Sequence, residues 1–509
     1  MDSLGVVDRD PGAALTILLD PALDPIVEMV LVADGPDTYQ ALSHNGRVRF
    51  RRHAEGTGWT YTVDTVDGHN PLADQATDRF VGVEAERASL WPHRTANAYP
   101  FAYEHVAQLF DHPCAPDLCV VHSAAHNWED RGGHRGEHGS LDAVQSRAPF
   151  IIGGRGVRAL GPVARVCQLI DVAPTIAARM GCAPAEGGIG LNGSPRDDAL
   201  LARQDGDPML DLLDGSRPAM VLGLLWDGTN PNVLYDMAAR GDAPNISRLM
   251  SMGTTFLHGA IASLPTVTLA NHTAVMTGAH PAHHGILHNA WYDRARAQQV
   301  ITNSAATWHT SMQFLDHPAV ETLHHAVHRT WPDAFTASVN EPCDAGADFS
   351  TFGLVRAGDR PTPPPPELPH ATERFVRPVK DYRWGSRVDH TGVEQATGLL
   401  SGHWRGQDWP LPKFLWVNFT LTDSAFHAGG PHSEIAAASI RDTDARLGDV
   451  LAAVEAAGVF DDTAFFLVAD HGMEESNPDV RGDWGDSLRQ AGIAHRDEAF
   501  GFIYLTDPT

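Results

Sequence analysis

The chain has few of the features that mark membrane, secreted or disulfide-rich proteins. Its 509 residues contain no run of about 18 or more apolar residues, so we expect no membrane-spanning helix. The first residues lack a basic segment followed by an apolar one, and the 5 cysteines show no CxxC spacing. We therefore expect no secretory signal and no disulfides, and we predict a cytoplasmic protein with reduced thiols.

Positive charge is also scarce. Lys and Arg total 37 against 64 Asp and Glu, which gives a formal net charge of -27, and Lys380 and Lys413 are the only lysines. This balance argues against nucleic acid as a partner. If the ligand is an anion such as a phosphate, the protein needs concentrated local positive charge, which bound divalent metals supply compactly.

Apolar runs that end in polar or acidic residues are typical of buried parallel strands. They occur at 26–33, 118–121, 150–152, 220–226, 414–419 and 465–469. Amphipathic helical stretches such as 166–180 and 433–457 lie between them. The alternation predicts an α/β fold whose central sheet is mostly parallel, with helices on both faces. Ligands bind beyond the carboxyl ends of such strands, where Asp227 and Asp470 stand.

A threonine precedes a short apolar helix in the middle of the chain. We predict this helix at 269–277, ended by Gly278 as its C-terminal cap. Thr268 would then lie at the positive end of the helix dipole, beside free backbone N–H groups that favour anions. Because a threonine hydroxyl is a poor nucleophile at its own pKa, it would need a metal to activate it. The plain alternative is an N-cap threonine.

Two Asp/His sets could supply that metal site. Asp470 and His471 follow an apolar strand directly, and with Asp227 they offer ligands that suit Zn²⁺. Asp423 and His427 are one helical turn apart and could hold a second metal, although a surface ion pair is the simpler reading of that spacing alone. Two metals about 4 Å apart can clamp the attacking and leaving oxygens of an in-line displacement.

Residues 219–290 and 414–475 resemble the alkaline phosphatase superfamily, specifically its type I phosphodiesterase/nucleotide pyrophosphatase branch. The resemblance is carried by the Asp-Gly pair at 227–228, the Pro-Thr-x-Thr-x-x-Asn-His segment at 265–272 and the His-Gly-Ile at 284–286. It implies an alkaline-phosphatase-like fold with Thr268 as the nucleophile. It also implies that Asn289 contacts the phosphate. We expect the Leu269 N–H group to hold the non-bridging phosphate oxygens together with Asn289.

The same resemblance implies two divalent metal ions, with zinc as the expected metal and manganese as the alternative. The ligands of the first metal would be Asp227, Thr268, Asp470 and His471. The second metal would be held by Asp423, His427 and a final histidine, which in the family lies in a Gly-x-His-Gly segment near the C-terminal end of the domain.

That final histidine is out of its usual order in this chain. No Gly-x-His-Gly segment occurs after Asp470. One occurs near the beginning of the chain, as Gly136-Glu137-His138-Gly139. We therefore predict a circularly permuted domain, in which residues 1–185 are the family's C-terminal part placed first. Residues 186–218 would be a linker, and 219–509 the N-terminal and central part, with a cap-like insertion at about 291–401.

Two alternatives to the permutation stay open. His138 could complete the site of a neighbouring subunit by domain swapping. Residues 1–185 could also be a separate domain with its own metal cluster of His122, His126, His134 and His138. Most other histidines need no ligand role, and we interpret four of them as structural or exposed: His272, His280, His283 and His432.

The residues around the nucleophile bear on the substrate. Leu269 stands where nucleotide-hydrolysing members often have an aromatic residue, and no Cys-x-Pro-x-Arg is present for a sulfatase. The nucleophile segment holds no Arg, which favours diesters, unless Arg294 or an Arg of the inserted region reaches the phosphate.

We therefore predict metal-dependent hydrolysis of phosphodiester or pyrophosphate bonds through a phosphothreonine intermediate. The alternatives are a phosphomonoesterase, a phosphonoacetate hydrolase and a non-catalytic metal-binding protein. The possible partners are a small-molecule phosphate ester and, in a homo-oligomer, a second copy of the chain. We expect neither nucleic acid nor a membrane as a partner.

Overall fold

The computed structural model describes residues 11–90, 97–127, 134–359, 380–499 and 501–506. Its helices, in chain order, are α1 (Gly12–Leu18), α2 (Val83–Ser89), α3 (Ala102–Leu109), α4 (Ala143–Ser146), α5 (Val172–Met180), α6 (Pro231–Ala239), α7 (Pro244–Ser251), α8 (Thr268–Thr277), α9 (Pro281–His284), α10 (Leu323–Thr330), α11 (Thr351–Arg356), α12 (Lys380–Leu400), α13 (Leu421–Gly429), α14 (Glu434–Ala456) and α15 (Trp484–Gln490). None of these helices combines the length and the hydropathy needed to cross a bilayer.

The strands of the first half are β1 (Val27–Ala33), β2 (Thr38–Ser43), β3 (Gly46–Glu55), β4 (Gly58–Gly68), β5 (Leu118–His122), β6 (Gly136–Glu137), β7 (Arg147–Ala148), β8 (Phe150–Gly154), β9 (Gly161–Val163), β10 (Cys167–Gln168), β11 (Met220–Trp226), β12 (Gly253–Phe256) and β13 (Ala260–Ile261). Those of the second half are β14 (Ala290–Asp293), β15 (Gln298–Ile301), β16 (Thr336–Val339), β17 (Phe349–Ser350), β18 (His403–Trp404), β19 (Gln407–Asp408), β20 (Phe414–Phe419), β21 (Thr463–Val468), β22 (Glu474–Glu475), β23 (His495–Glu498) and β24 (Phe502–Leu505).

The central sheet has the strand order β17-β16-β20-β11-β21-β8-β12-β9. Neighbouring strands are parallel from β17 through β21, β8 is antiparallel to both of its neighbours, and β12 and β9 are again parallel. The predicted α/β fold with a mostly parallel sheet is confirmed. Because β8 comes from the first third of the chain, both halves of the sequence build this one sheet.

The innermost strand, β11, shows why these segments form a buried sheet. All of its residues are buried, and alternate side chains enter two separate apolar clusters on the two faces. One face is covered by α6, α7, α12, α13 and α14, and the other by α5, α8 and α10. At Gly223, a Cβ atom would lie 1.9 Å from the Trp416 ring of β20, so the indole occupies the space that the glycine leaves.

A second sheet is antiparallel, in the order β23-β24-β5-β1-β2-β3-β4. It joins strands from the first 122 residues to the last two strands of the chain. Segments 26–33 and 118–121, which we predicted as parallel strands, lie here as β1 and β5. Apolar clusters cover β1 and β5 on both sides, with α3 on one face and α1 and α15 on the other, so their runs are as continuous as those of a parallel sheet.

Residues 186–218, predicted as a linker, are mostly irregular but well packed. Leu201 and Leu212 are buried in the core beneath the central sheet. The Asn192 side chain donates to the carbonyls of Gly56 and Gly58 in the β3–β4 hairpin, at 3.0 and 2.8 Å. This segment is therefore an ordered coil that packs against both sheets.

The range 291–401, predicted as a cap-like insertion, contributes to the central sheet as well. It contains β16 and β17, which form one edge of that sheet, and α10 and α12, which pack on its faces. Strand β16 is only four residues long, Thr-Ala-Ser-Val, so its sequence lacks the continuous apolar run that is typical of a buried strand. Residues 360–379 of this range, with the proline-rich stretch, lie outside the described residues.

Candidate active site

Two neighbouring strands of the central sheet end side by side at the site. β11 and β21 are parallel with Leu225 opposite Val468, so Asp227 and Asp470 emerge together at the same edge. The Gly228 N–H group donates to Asp470 Oδ1 at 3.0 Å. Gly228 has φ +62°, and a Cβ atom there would lie 2.7 Å from Asp423 Oδ1, so both backbone geometry and space require glycine.

The next strand, β20, leads into α13, which carries Asp423 and His427. Their spacing of four residues turns both side chains the same way, and His427 Nε2 lies 3.3 Å from Asp423 Oδ1. His427 Nδ1 donates to the carbonyl of Gly136 at 2.7 Å. The loop that contains the Gly-x-His-Gly segment is thereby joined to α13.

His138 lies at the same place and in the same chain. Its Nε2 atom is 3.9 Å from Asp423 Oδ1, and its Nδ1 donates to the carbonyl of Thr266 at 2.8 Å. The His138 ring stacks on that of His471, with centroids 3.7 Å apart and planes 14° from parallel. Residues from the first third and the last tenth of the chain thus meet in one cluster.

The donor set fits divalent metal ions. His471 Nδ1 donates to the carbonyl of Gly472 at 2.8 Å, so all three predicted histidine ligands bind a backbone carbonyl through Nδ1 and turn Nε2 into the cluster. Within the described residues, four buried atoms of the cluster make no hydrogen bond of acceptable geometry, although some lie close to a charged neighbour: Asp227 Oδ1, Asp423 Oδ1, Asp470 Oδ2 and His471 Nε2. Buried groups of this kind are rare unless a ligand satisfies them.

Among the described residues, four groups of potential ligands have their donor atoms within 4.8 Å of one another. Two consist of predicted ligands only: His138 with Asp423 and His427, and Asp227 with Asp423 and His471. The other two each include an unpredicted residue: Asp227 and Asp470 with His272, and His427 with His134 and Glu137. Asp470 Oδ2 is 3.0 Å from His471 Nε2, so the third carboxylate or imidazole predicted for the first metal lies beside Asp227 and His471. The predicted ligand residues are therefore gathered in two adjoining groups.

The electrostatics of the cluster favour cations. Burial, reinforced by the Asp470 and Asp423 carboxylates, raises the pKa of Asp227 to about 8. Burial alone would lower the pKa of His471, but the Asp470 and Asp227 carboxylates outweigh it and raise this pKa to about 9. His427 behaves in the same way beside Asp423, with a pKa of about 9. The carboxylates thus hold His427 and His471 in the protonated form until a metal replaces the protons. Burial and these two neighbouring rings instead lower the pKa of His138.

Thr268 and Asn289 line a cavity of about 180 Å³ together with His138, Asp423 and His427. Thr268 is the first residue of α8, and Val267 is the N-cap, so the alternative of an N-cap threonine is wrong. Gly278, with φ +69°, ends this helix as predicted. The hydroxyl therefore stands at the helix N-terminus and at the cavity wall.

The Leu269 N–H group donates to Asn289 Oδ1 at 3.1 Å. It is therefore engaged within the protein, whereas we had expected it to face the phosphate oxygens beside Asn289. The bond fixes the orientation of the amide, since Oδ1 points to the start of α8. In the part of the chain that the structure describes, Asn289 Nδ2 has no protein acceptor, so it is the donor left for a ligand.

The rest of the cavity wall was not predicted. It includes His134, Glu137, His288 and Asn303, the last from the range expected to form a cap. Asn303 Oδ1 accepts a hydrogen bond from the Trp308 indole. Arg294, the arginine that could have reached a phosphate, instead pairs with Asp117 at 2.9 Å and lies over the Tyr504 ring.

Sequence reasoning also missed His272, which we interpreted as structural or exposed. It is fully buried, and its Nε2 lies 3.6 Å from an oxygen of Asp227 and 3.6 Å from one of Asp470. The sequence did indicate that His272 could lie near the site, because it follows Thr268 by four residues, one turn along the same helix. The ring also contacts Glu341, for which the sequence offered no signal.

His122 and His126 do not join the cluster around His138. Their rings are 6.2 Å apart, and among the described residues neither belongs to a group of metal-ligand atoms within 4.8 Å. His134 forms such a group with Glu137 and His427 instead. The geometry therefore does not favour the alternative of an independent cluster of four histidines.

The family model for type I phosphodiesterase/nucleotide pyrophosphatase matches residues 221–508, more than half of the chain. The chain belongs to this family. The membership predicted from the motifs is confirmed. The matched range begins at β11 and so contains Asp227, Thr268, Asp423 and Asp470, but not His138.

Individual relatives of this phosphodiesterase-family protein match only in part. The alkaline phosphatase PafA of Elizabethkingia meningoseptica is 33% identical over 91 residues, which cover 18% of this chain and 17% of PafA. A pyrophosphatase/phosphodiesterase of Schizosaccharomyces pombe is 25% identical over 287 residues, 54% of this chain and 49% of the relative. The chain thus spans less than half the length of the curated relatives it matches.

Similar solved structures include murine ectonucleotide pyrophosphatase/phosphodiesterase 5 in complex with AMP, at 15% identity and a TM-score of 0.35 over 50% of this chain and 57% of that one. The crystal structure of wild-type PafA has 17% identity and a TM-score of 0.34, over 50% of this chain and 63% of PafA.

Proposed function

We propose that the protein hydrolyses phosphodiester or pyrophosphate bonds of a small-molecule phosphate ester through a phosphothreonine intermediate, with the help of two divalent metal ions. One observation carries the proposal. Thr268, at the start of α8, lines the same cavity as Asn289 and as the His138, Asp423 and His427 group of potential metal ligands.

The chain's own residues account for the chemical steps. The Thr268 hydroxyl gives up its proton, and Oγ1 attacks phosphorus in line with the leaving oxygen. The bond from phosphorus to the leaving oxygen breaks as the threonine–phosphorus bond forms, and the first product departs with a proton on that oxygen. Asn289 Nδ2 donates to a non-bridging oxygen, and the positive end of α8 stabilises the same negative charge. Water then attacks phosphorus from the vacated side, which breaks the bond to Thr268 and restores its hydroxyl.

The first metal would be held by Asp227, Asp470, His471 and Thr268, and the second by Asp423, His427 and His138. Bound there, the metals would lower the pKa of the threonine hydroxyl and stabilise the charge of the leaving oxygen. The mixture of imidazole and carboxylate donors suits zinc, with manganese as the alternative.

The cavity wall favours diesters over monoesters. A monoester carries up to two negative charges on its phosphate, whereas a diester carries one. Among the described residues, no Lys or Arg lines the cavity, and Asn289 and Asn303 contribute uncharged amides to its wall. With so little fixed positive charge apart from the metals, the site is suited to the singly charged substrate.

Phosphomonoesters are the second candidate, because the local match to PafA, an alkaline phosphatase, reaches 33% identity. Phosphonoacetate hydrolysis and metal binding without catalysis complete the alternatives. Rates on bis-nitrophenyl phosphate, nitrophenyl phosphate and phosphonoacetate, measured on the same preparation, separate all four. We expect the diester to have the highest kcat/KM.

We further propose that the domain is circularly permuted. Two observations support this: β8, from the first third, lies between β21 and β12 in the central sheet, and His138 lies beside Asp423 in the same chain. A permuted order explains why the family model begins at β11, although an essential ligand would precede it.

The decisive experiment replaces Thr268. Thr268→Ala should lower kcat/KM on the diester by at least about 1,000-fold, while Thr268→Ser, which keeps a hydroxyl, retains measurable turnover. Mass spectrometry of acid-quenched enzyme should detect, in the wild type only, an adduct on Thr268 that contains the phosphorus and the remaining ester group of the diester. Full turnover by Thr268→Ala would refute the proposed nucleophile.

A further inference from the structure

A buried histidine outside the predicted ligand set links the nucleophile's helix to the metal-binding carboxylates. His272 is 0% exposed, and its Nε2 is equally far, 3.6 Å, from Asp227 Oδ2 and from Asp470 Oδ2. Neither distance is that of a direct hydrogen bond, but both are within ion-pair range. The imidazole thus faces two carboxylates at once.

The other side of the ring is held by a third carboxylate. His272 Nδ1 lies 3.0 and 2.8 Å from the two oxygens of Glu341, which is itself 0% exposed. Glu341 also accepts hydrogen bonds from Trp416 Nε1 at 3.2 Å and from the Cys343 N–H group at 2.8 Å. Since a fully buried carboxylate is unfavourable without such donors, these contacts hold Glu341 and, through it, the plane of the imidazole.

The oxygens that His272 faces determine how the two aspartates are rotated. Asp227 turns Oδ2 to His272, so that Oδ1 faces His471 at 3.8 Å. Asp470 is fixed at its other oxygen by the Gly228 N–H group. A change at His272 would therefore release the rotation of Asp227 more than that of Asp470.

We propose that His272, anchored by Glu341, is a positioning residue that orients the Asp227 and Asp470 carboxylates toward the first metal. Because His272 follows Thr268 by one helical turn, the same contact sets the distance between the nucleophile and those carboxylates. The inference rests on the proposed function for its effect on turnover. Its effect on metal binding can be measured without any reaction.

The test compares the same substitution at two equally buried histidines in the full-length protein. His272→Gln removes the ring from the carboxylates, while His324→Gln is the matched control. His324 is also 0% exposed, and among the described residues neither of its ring nitrogens has a hydrogen-bond partner. Each protein is stripped with EDTA and titrated with Zn²⁺ in competition with a chromogenic chelator.

We expect His272→Gln to bind one of two zinc ions about 10- to 100-fold more weakly than the wild type, with no change in the other. The control should bind both as the wild type does, even if its melting temperature falls by a similar amount. In hydrolysis of a diester, His272→Gln should lower kcat with little change in KM, and excess Zn²⁺ should restore part of the loss.

Glu341 offers a second measurement. Glu341→Gln should weaken the same zinc site, because the imidazole loses its anchor but stays near the aspartates. If the two residues act as one unit, the double variant should bind zinc no more weakly than His272→Gln alone. Additive losses would contradict an anchor role for Glu341.

The outcomes separate the inference from the proposed function. Weaker zinc binding by His272→Gln in a protein that hydrolyses no ester would support the inference and overturn the function. If the wild type hydrolyses esters but His272→Gln binds zinc within twofold of the wild-type affinity, the proposed function is supported and the inference is overturned. A wild type that binds no divalent metal would overturn both.

Discussion

The imidazoles of His138 and His471 stack with their centroids 3.7 Å apart, although one comes from the first third of the chain and the other from its end. Each ring binds a backbone carbonyl through Nδ1, so both Nε2 atoms turn into the carboxylate cluster. This contact joins the part of the chain outside the family match to the part inside it. Whether His138 acts within its own chain or in a neighbouring subunit can be tested directly.

His138 should act within its own chain. His138→Ala should lower kcat/KM on a diester by about 100-fold or more, because the second metal loses a ligand. Asp423→Ala should be similarly impaired. When the two variants are co-expressed with different tags and co-purified, the mixture should stay as inactive as either variant alone, as measured by diester hydrolysis.

Domain swapping would give the opposite result. If a neighbouring subunit supplied His138, hetero-oligomers of the two variants would contain some complete sites. Recovery of activity in the co-purified mixture would then contradict a site built in one chain, and would favour domain swapping.

Gly228 should tolerate no side chain. Gly228→Ala would put a Cβ atom 2.7 Å from Asp423 Oδ1 and strain a backbone at φ +62°. We expect weaker binding of Zn²⁺ and a loss of stability of about 1–3 kcal/mol, measured by calorimetric metal titration and by urea unfolding.

Gly241 is the control for backbone strain alone. It has φ +82°, but a Cβ atom there would meet nothing within 4 Å. Gly241→Ala should therefore lower stability by about 1–2 kcal/mol without affecting metal binding. Equal metal affinities for the two variants would mean that the space beside Asp423 does not matter.

A cation in the cavity should shift the substrate preference. Asn303 lines the same cavity as Thr268, and its substitution by lysine adds a permanent positive charge to a wall that has no Lys or Arg among the described residues. We expect Asn303→Lys to raise the ratio of monoester to diester kcat/KM by about 10-fold, since the doubly charged substrate gains more from the cation. Asn303→Met, similar in length but uncharged, is the control and should not raise the ratio.

His324 should make stability depend on pH. Burial lowers its pKa to about 3, whereas an imidazole in the unfolded chain titrates near 6.5. Between these values the unfolded state binds a proton that the folded state does not. The folded state is therefore stabilised fully above about pH 6.5 and loses up to about 1.4 kcal/mol per pH unit as the pH falls.

His324→Leu should remove this contribution. Between pH 8 and pH 5, the unfolding free energy of the wild type should fall by about 2 kcal/mol more than that of the variant, measured by urea unfolding of metal-free protein. Parallel profiles for the two proteins would show that His324 is not held neutral in the fold.

Local sequence patterns correctly predicted those helices and strands whose formation depends on residues that are close in the sequence. The runs at 220–226 and 414–419 form β11 and β20 with those bounds, and 433–457 forms α14 with Ser433 as its N-cap. The prediction at 166–180 was partly wrong, because the helix begins only at Val172, after a short strand and a turn of 3₁₀ helix. Pairing of Cys167 with Ala260 in a neighbouring strand decides this start, and no local pattern records it.

The sequence by itself determined the family, the α/β class and the segments that carry Asp227, Thr268, Asp423 and Asp470, because each depends on a motif a few residues long. Only the tertiary structure decided that β1 and β5 belong to an antiparallel sheet, that His272 and Glu341 stand behind the aspartates, and that His138 meets Asp423. Strand partners and contacts between distant residues follow from how whole elements pack, and a short stretch of sequence is compatible with more than one such packing.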